Sequence, residues 1–198
     1  MKIKLLSGIA IVGLALVFTG CQKYPQAEVD AANAAIEATK AVQANLYVPE
    51  EYNALQDSLT TVLAAVEKEK SKLFHNYKDE VAKLTATAEQ AKVVAGNAQA
   101  KKEQYKQETA TALTEITALM EQNKEYLAKA PKGKEGKAAL EAIAADLTTI
   151  EAGVVEVNNK LASDDIIGAL NQAKSLKEKA TGINTELTEV LKKTGKIK

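Results

Sequence analysis

The chain has 198 residues; its 26 cationic residues, all Lys, balance 26 acids, with one His, one Cys, no Trp and 4% aromatics. Evenly mixed charge without Arg argues against a nucleic-acid reader, which needs clustered cations and bidentate guanidinium groups. A lone Cys excludes an internal disulfide, and a lone His excludes a metal site built on several imidazoles.

The first element differs in kind from the rest. Lys2 and Lys4 precede an uncharged, mostly apolar run, Leu5 to Phe18, closed by Thr19-Gly20-Cys21 and followed by polar Gln22-Lys23. A basic start, an apolar stretch and a small residue at the cut site are the marks of a secretory signal. The run is shorter than the ~20 residues a membrane span needs. An uncleaved anchor, or an ordinary secretory signal beside a free thiol, is the alternative.

Phe18-Thr19-Gly20-Cys21 resembles the lipobox of bacterial lipoproteins, with Phe18 where Leu is usual. The resemblance implies diacylglycerol on the Cys21 thiol, cleavage between Gly20 and Cys21, and then acylation, as by palmitate, of the new amino group. One acyl chain holds a protein to a bilayer marginally and two or more hold it stably, at about 0.8 kcal/mol per buried CH₂. By the family's sorting rule Gln22 is not the Asp that retains lipoproteins in the inner membrane. That implies the outer membrane, facing the periplasm. Removing residues 1–20 takes away Lys2 and Lys4 and no acid, leaving 24 Lys against 26 acids, a formal charge of −2.

Residues 21–26 form the lipid tether, and Pro25 keeps a helix from running back to the Cys. Ala31, Ala35, Ala38 and Val42 then share a helical face, with Val29, Ala32 and Ile36 beside it. This first helix is expected to stop near Asn45, because Tyr47-Val48-Pro49 forces an extended residue before the proline. Pro49 with Glu50 and Glu51 behind it starts the second helix. Its seam is Tyr52, Leu55, Leu59, Val62, Val66 and Leu73, with Glu69 at the skipped core position, read as a seam opening to water rather than a buried functional carboxylate.

Phe74-His75-Asn76-Tyr77 interrupts the pattern, and Asn76 is a candidate N-cap with Asp79 three residues on. The third helix carries Tyr77, Val81, Leu84, Ala88, Ala91, Ala95 and Ala98 and meets no proline before Pro131. Unbroken to Lys129 it would be about 75 to 80 Å long, with Gly96 its weak point. Residues 100–110 have only Tyr105 as a large apolar residue, as in helices that bridge packed units.

Pro131, Gly133 and Gly136 mark the next loop. The fourth helix has the clearest seam: Leu140, Ile143, Leu147, Ile150, Val154, Val157 and Leu161. Ser163-Asp164-Asp165 turns into a fifth helix with Ile166, Leu170, Ala173, Leu176, Ala180, Ile183, Leu187 and Val190, ending by Gly195. Each half runs helix, proline break, heptad helix, polar turn, helix, so Pro49 pairs with Pro131. The fold expected is all-α: an elongated antiparallel helical bundle or coiled coil of about five helices. Two arrangements stay open, two three-helix units sharing the long third helix or one irregular bundle. The expected division is a signal peptide at 1–20, the tether at 21–26, a first helical unit at 27–100, a polar helical bridge at 101–112 and a second helical unit at 113–198.

The pattern A-A-x-A-A-I-E-A-x-x-A-V-Q-A, then Y-V-P-E-E-Y, then HNYKDEVAKL, within Ala27 to Leu84, resembles a family of Ala-rich helical envelope lipoproteins classed as a domain of unknown function. The resemblance implies a helical periplasmic module and carries no catalytic residue to transfer.

No catalytic, cofactor-binding or metal-binding residue is expected. His75 reads as a solvated turn residue, Ser and Thr lack a neighbouring base, and the carboxylates are interleaved with Lys, as solvated faces are. Tyr47 and Tyr52 beside Pro49, and Tyr77 after the next turn, read as plugs of bundle ends, ring buried and hydroxyl wet, rather than as a partner groove. Lys198 resembles the peptidoglycan-linked Lys of the major outer-membrane lipoprotein only in being terminal, and a frayed basic tail is the expectation. The expected function is a non-enzymatic, membrane-anchored helical scaffold, spacer or docking module of the cell envelope. Its expected partners are the membrane, through the lipid, and an envelope protein or peptidoglycan. The alternative is a module binding a lipid or other apolar ligand between helices.

Overall fold

A computed structural model of the protein describes residues 23–131, 133 and 136–197. Six helices and no strand occur among the described residues: α1 (Gln26–Ala41), α2 (Ala44–Tyr47), α3 (Pro49–Lys70), α4 (Lys78–Lys129), α5 (Lys137–Ala162) and α6 (Ile166–Lys193). The protein is an all-α helical bundle, as its periodicity predicts. The sixth helix is α2, a single turn.

The end of α1 is a correction. The helix stops at Ala41, short of Asn45, because Gln43 takes a left-handed conformation with φ of 58°. The Gln43 carbonyl then accepts the N–H groups of Leu46 and Tyr47, opening α2. Val48 follows with φ of −139° and ψ of 59°, outside the right-handed helical region that a following proline disfavours. Pro49 is the first residue of α3, with Glu50 and Glu51 in the first turn, where a missing N–H costs nothing and negative charge meets the helix dipole.

The buried positions of α3 are Leu55, Leu59, Val62, Val66 and Glu69, in a 4-3-4-3 rhythm. Two expectations fail here. Leu73 does not extend the seam, because α3 ends at Lys70 and Leu73 is 86% exposed. Nor does Glu69 face water: it is 8% exposed and its carboxylate is used to close the turn that follows.

Helix α4 is continuous over 52 residues, about 78 Å at 1.5 Å per residue. Gly96 does not break it; a missing Cβ weakens a helix by about 1 kcal/mol, too little to oppose packing on both sides. The chain folds as two compact units that share this helix. Among the described residues the first comprises 23–41 and Glu50–Val94, and the second Val42–Pro49 and those from Ala95 onward.

In the first unit α1 buries Val29, Ala32, Ile36 and Thr39, and α4 buries Leu84, Thr87, Ala91 and Val94, with Tyr77 buried just before it. Thr39 and Thr87 satisfy their hydroxyls on the carbonyls of Ile36 and Lys83, which makes their burial tolerable.

In the second unit the core joins Ile116 and Met120 of α4, Ile143, Leu147 and Ile150 of α5, and Ala180, Ile183 and Leu187 of α6. A smaller cluster joins Ala112, Val157, Ala169 and Ala173. Each large aliphatic side chain contributes roughly 1.5 to 3 kcal/mol on burial. Polar pairs fix direction: Asp146 with Lys179 makes α5 and α6 antiparallel when set beside Glu156 with Gln172. Glu108 with Lys174 and Glu115 with Lys177 make α4 and α6 parallel.

Two buried details of this unit escape the periodicity. Gly153 leaves room for the Leu176 side chain of α6, whose Cδ2 would lie 2.7 Å from a Cβ there. Asn123, fully buried, donates to the Ala180 carbonyl at 2.8 Å and accepts from Asn184 Nδ2 at 2.8 Å.

The α5–α6 turn repeats a device seen at the end of α6. Asp164, with φ of 64°, follows the last turn of α5, and the N–H groups of Asp164 and Asp165 return to the carbonyls of Leu161 and Lys160. Gly195, with φ of 68°, does the same after α6. Both are left-handed helix stops. Asp165 then caps α6 by accepting from Gly168 N at 3.0 Å.

Candidate functional site

The most specific chemistry expected of the sequence, at Gly20 and Cys21, lies outside the described residues, as does Lys198. Lys23 is the first described residue, and Tyr24, three residues after Cys21, is built into the first unit. Its hydroxyl donates to Glu67 of α3 at 3.0 Å. Its ring meets that of Tyr77 edge-on at 6.0 Å, and Lys70 Nζ lies 5.0 Å from its centroid. Partial burial, reinforced by the Glu67 carboxylate, pushes its phenol above the usual range.

Tyr24 therefore joins a cluster around the turn between α3 and α4. The Glu69 carboxylate, at the end of α3, receives Lys72 Nζ and, at 3.0 Å, the Asn76 N–H. These donors, the Lys72 ammonium first, hold its carboxyl below the usual range. The Lys72 carbonyl lies 3.0 Å from His75 Nδ1. Asn76 Oδ1 accepts Lys78 N at 3.1 Å, while the Tyr77 carbonyl accepts the first helical bond of α4, from Val81. Asn76 thus tends the start of α4 one residue earlier than a strict N-cap. Tyr77 is buried, with the His75 ring 5.8 Å away.

The structure brings Glu69, His75 and Tyr77 together, but as a braced turn. His75 Nδ1 lies against the Lys72 carbonyl, and its ring is tilted 36° to that of Tyr77. Between the two halves of the brace, Leu73 and Phe74 project outward, 86% and 82% exposed. Sequence periodicity missed both this exposure and the role of Tyr24. The usable signal was the polar spacing of Glu69, Lys72 and Asn76, three and four residues apart.

The Tyr47 plug has its own surroundings in the second unit. Its buried ring lies 6.1 Å from Tyr105, and Lys102 Nζ lies 5.8 Å from its centroid. Lys102 also bonds Asp164 and reaches Gln43 Oε1 at 3.5 Å. One ammonium thereby connects Gln43 and Asp164, the left-handed residues other than glycine among those described. It holds the Asp164 carboxyl below its usual range, while burial pushes the Tyr47 phenol up. Tyr52 stays half-buried, its hydroxyl accepting from Gln56 at 2.9 Å.

The second unit also carries an open groove of about 540 Å³ between α4 and α5, floored by Leu127, Ala128, Leu140 and Ala144 and flanked by Lys124, Lys137 and Glu141. Among the described residues no three His, Cys, Asp or Glu side chains are grouped to hold a metal ion, and no helix is long and apolar enough to cross a membrane.

No family model, curated protein or solved structure matches this chain.

Proposed function

We propose that the protein is a non-enzymatic lipoprotein, anchored by acyl groups on Cys21, that serves as a helical scaffold or spacer docking a protein or peptidoglycan partner in the cell envelope. The observation that carries this reading is the attachment of Tyr24. A lipobox-like sequence is followed within three residues by a side chain fastened to α3 and to the Tyr77 turn that opens α4. An anchor on so short a tether would hold the body at the membrane surface instead of letting it drift on a flexible leash, as a spacer requires. The helical build supports the same reading: stiff elements with interdigitated seams keep a partner at a set place. Outer-membrane residence facing the periplasm follows from Gln22 by the sorting rule above.

Labelling cells with a clickable fatty-acid analogue tests it. The wild-type protein should carry label and fractionate with membranes, and Cys21→Ala should lose both. Undiminished label in Cys21→Ala overturns the anchor. Cross-linking in intact cells should then return a reproducible envelope partner.

The groove between α4 and α5 favours a second reading, a module for a lipid or other apolar ligand, because an apolar floor with lysines at its rim suits an acyl chain ending in a carboxylate. Saturable displacement of a fluorescent fatty acid, abolished by Leu140→Asp in a variant of unchanged helicity, would favour it; no saturable binding would remove it.

A further inference from the structure

Leu73 and Phe74 are the two most exposed large apolar side chains among the described residues. Single exposed apolar residues need no explanation, but an adjacent pair on a turn that is held open does. This turn is held open. Glu69 ties Lys72 and Asn76 across its base, the Lys72 N–H returns to the Glu69 carbonyl at 3.0 Å, and Tyr77 is locked beneath it. With the turn braced in this way, the pair stands 86% and 82% exposed.

The same turn sits against the beginning of the described chain. Tyr24 packs edge-on upon Tyr77 and bonds Glu67, and Lys70 lies over its ring. Cys21 is three residues before Tyr24, so its Cα is within about 11 Å of the Tyr24 Cα whatever the path. Lys23, Lys68, Lys70, Lys72 and Lys78 are exposed around this end. The acids near them include Asp30, Glu67, Glu69, Asp79 and Glu80, of which Asp30 bonds Gln26 while Glu67 and Glu69 are engaged by Tyr24 and Lys72.

We propose that Leu73 and Phe74 are a second, non-covalent membrane contact, entering the headgroup–acyl boundary of the same bilayer that holds the lipid of Cys21. This rests on the anchor reading above. The acyl chains on Cys21 already hold the protein to the bilayer, so the apolar pair would set the orientation of the first unit and not its residence there. Aromatic and long basic side chains suit that boundary, the ring at headgroup depth and the lysine stems reaching back to phosphates. Cys21 alone would be a swivel; adding Leu73-Phe74 makes two points of attachment and gives the first unit a fixed bearing on the membrane. The nearly balanced charge makes the apolar pair, not anionic lipid, the main determinant.

The absence of Trp from the chain provides the test. Full-length protein carrying Phe74→Trp, purified from membranes, is reconstituted in phosphatidylethanolamine–phosphatidylglycerol vesicles with a nitroxide high on the acyl chain. Val93→Trp serves as the comparison, at an exposed position in the same unit, 15 residues along α4 from Lys78 or about 22 Å. Mass spectrometry of each sample reports acylation of Cys21. The expected result is blue-shifted, strongly quenched emission from the Phe74→Trp protein and water-exposed, unquenched emission from the Val93→Trp protein. An acylated Phe74→Trp protein whose indole is water-exposed, or blue-shifted yet unquenched as in a protein–protein contact, overturns the inference and leaves the anchor standing. An unacylated Cys21 overturns both.

Discussion

At the residue scale, buried polar groups are explained by the partners they find. Glu69 occupies a heptad core position, yet its carboxylate has two donors in place of water. Its folded pKa lies below the ordinary value of 4.5, so below that value the unfolded chain binds more protons than the folded one. The stabilisation is fully present above about pH 4.5 and is lost as pH falls through the lower, folded value. Asp164, held down by Lys102, acts with the same sign. Glu69→Gln should therefore melt earlier at neutral pH and lose less on acidification, as thermal melts by circular dichroism from pH 7 to pH 2 would record. A variant whose acid dependence parallels wild type would contradict this role for the carboxylate in the turn. Asn123 is the counterpart in the second unit. Asn123→Ala removes bonds to Ala180 and Asn184 and is expected to destabilise by roughly 1 to 3 kcal/mol in chemical denaturation. Coupling with Asn184→Ala in a double-mutant cycle would assign the loss to that network.

At the scale of elements, the sequence was legible wherever helix periodicity and proline decided the outcome. Pro49 opened α3, the apolar rhythm from Ile143 to Val157 placed α5, and Asp165 started α6. It was illegible where one backbone angle or one long side chain decided. Nothing in the local pattern marks Gln43 as left-handed, and its side-chain partner is a lysine 59 residues away. Leu73 fits the α3 seam by spacing alone, and only the Glu69 brace explains why the chain departs first. The exposed pair should matter little to folding: Leu73→Ser with Phe74→Ser is expected to shift stability by no more than about 0.5 kcal/mol per site. Gly96 gives a prediction of opposite sign. It is exposed in mid-α4, and an alanine Cβ at that position would have no neighbour within 4 Å. Gly96→Ala should stabilise by about 0.5 to 1 kcal/mol, read from the denaturation midpoint. A loss would mean that α4 needs flexibility at that point.

At the scale of the whole molecule, two helical units divide one long helix, each with a polar–aromatic cluster tending a chain reversal. The cluster of the first unit includes Tyr24, the described residue by which the chain emerging from the lipobox-like segment is tied down. This gives the proposed anchor a mechanical meaning: force or position at Cys21 passes to α3 and the start of α4 within a few residues. The proposed role depends first on the chemistry of that cysteine. The most direct measurement is intact and N-terminal peptide mass spectrometry of the protein isolated from its native membranes. The expected result is a chain beginning at Cys21, with diacylglycerol in thioether linkage and an acylated amino group. A chain that retains residues 1–20, or that carries a free Cys21 thiol, would contradict it.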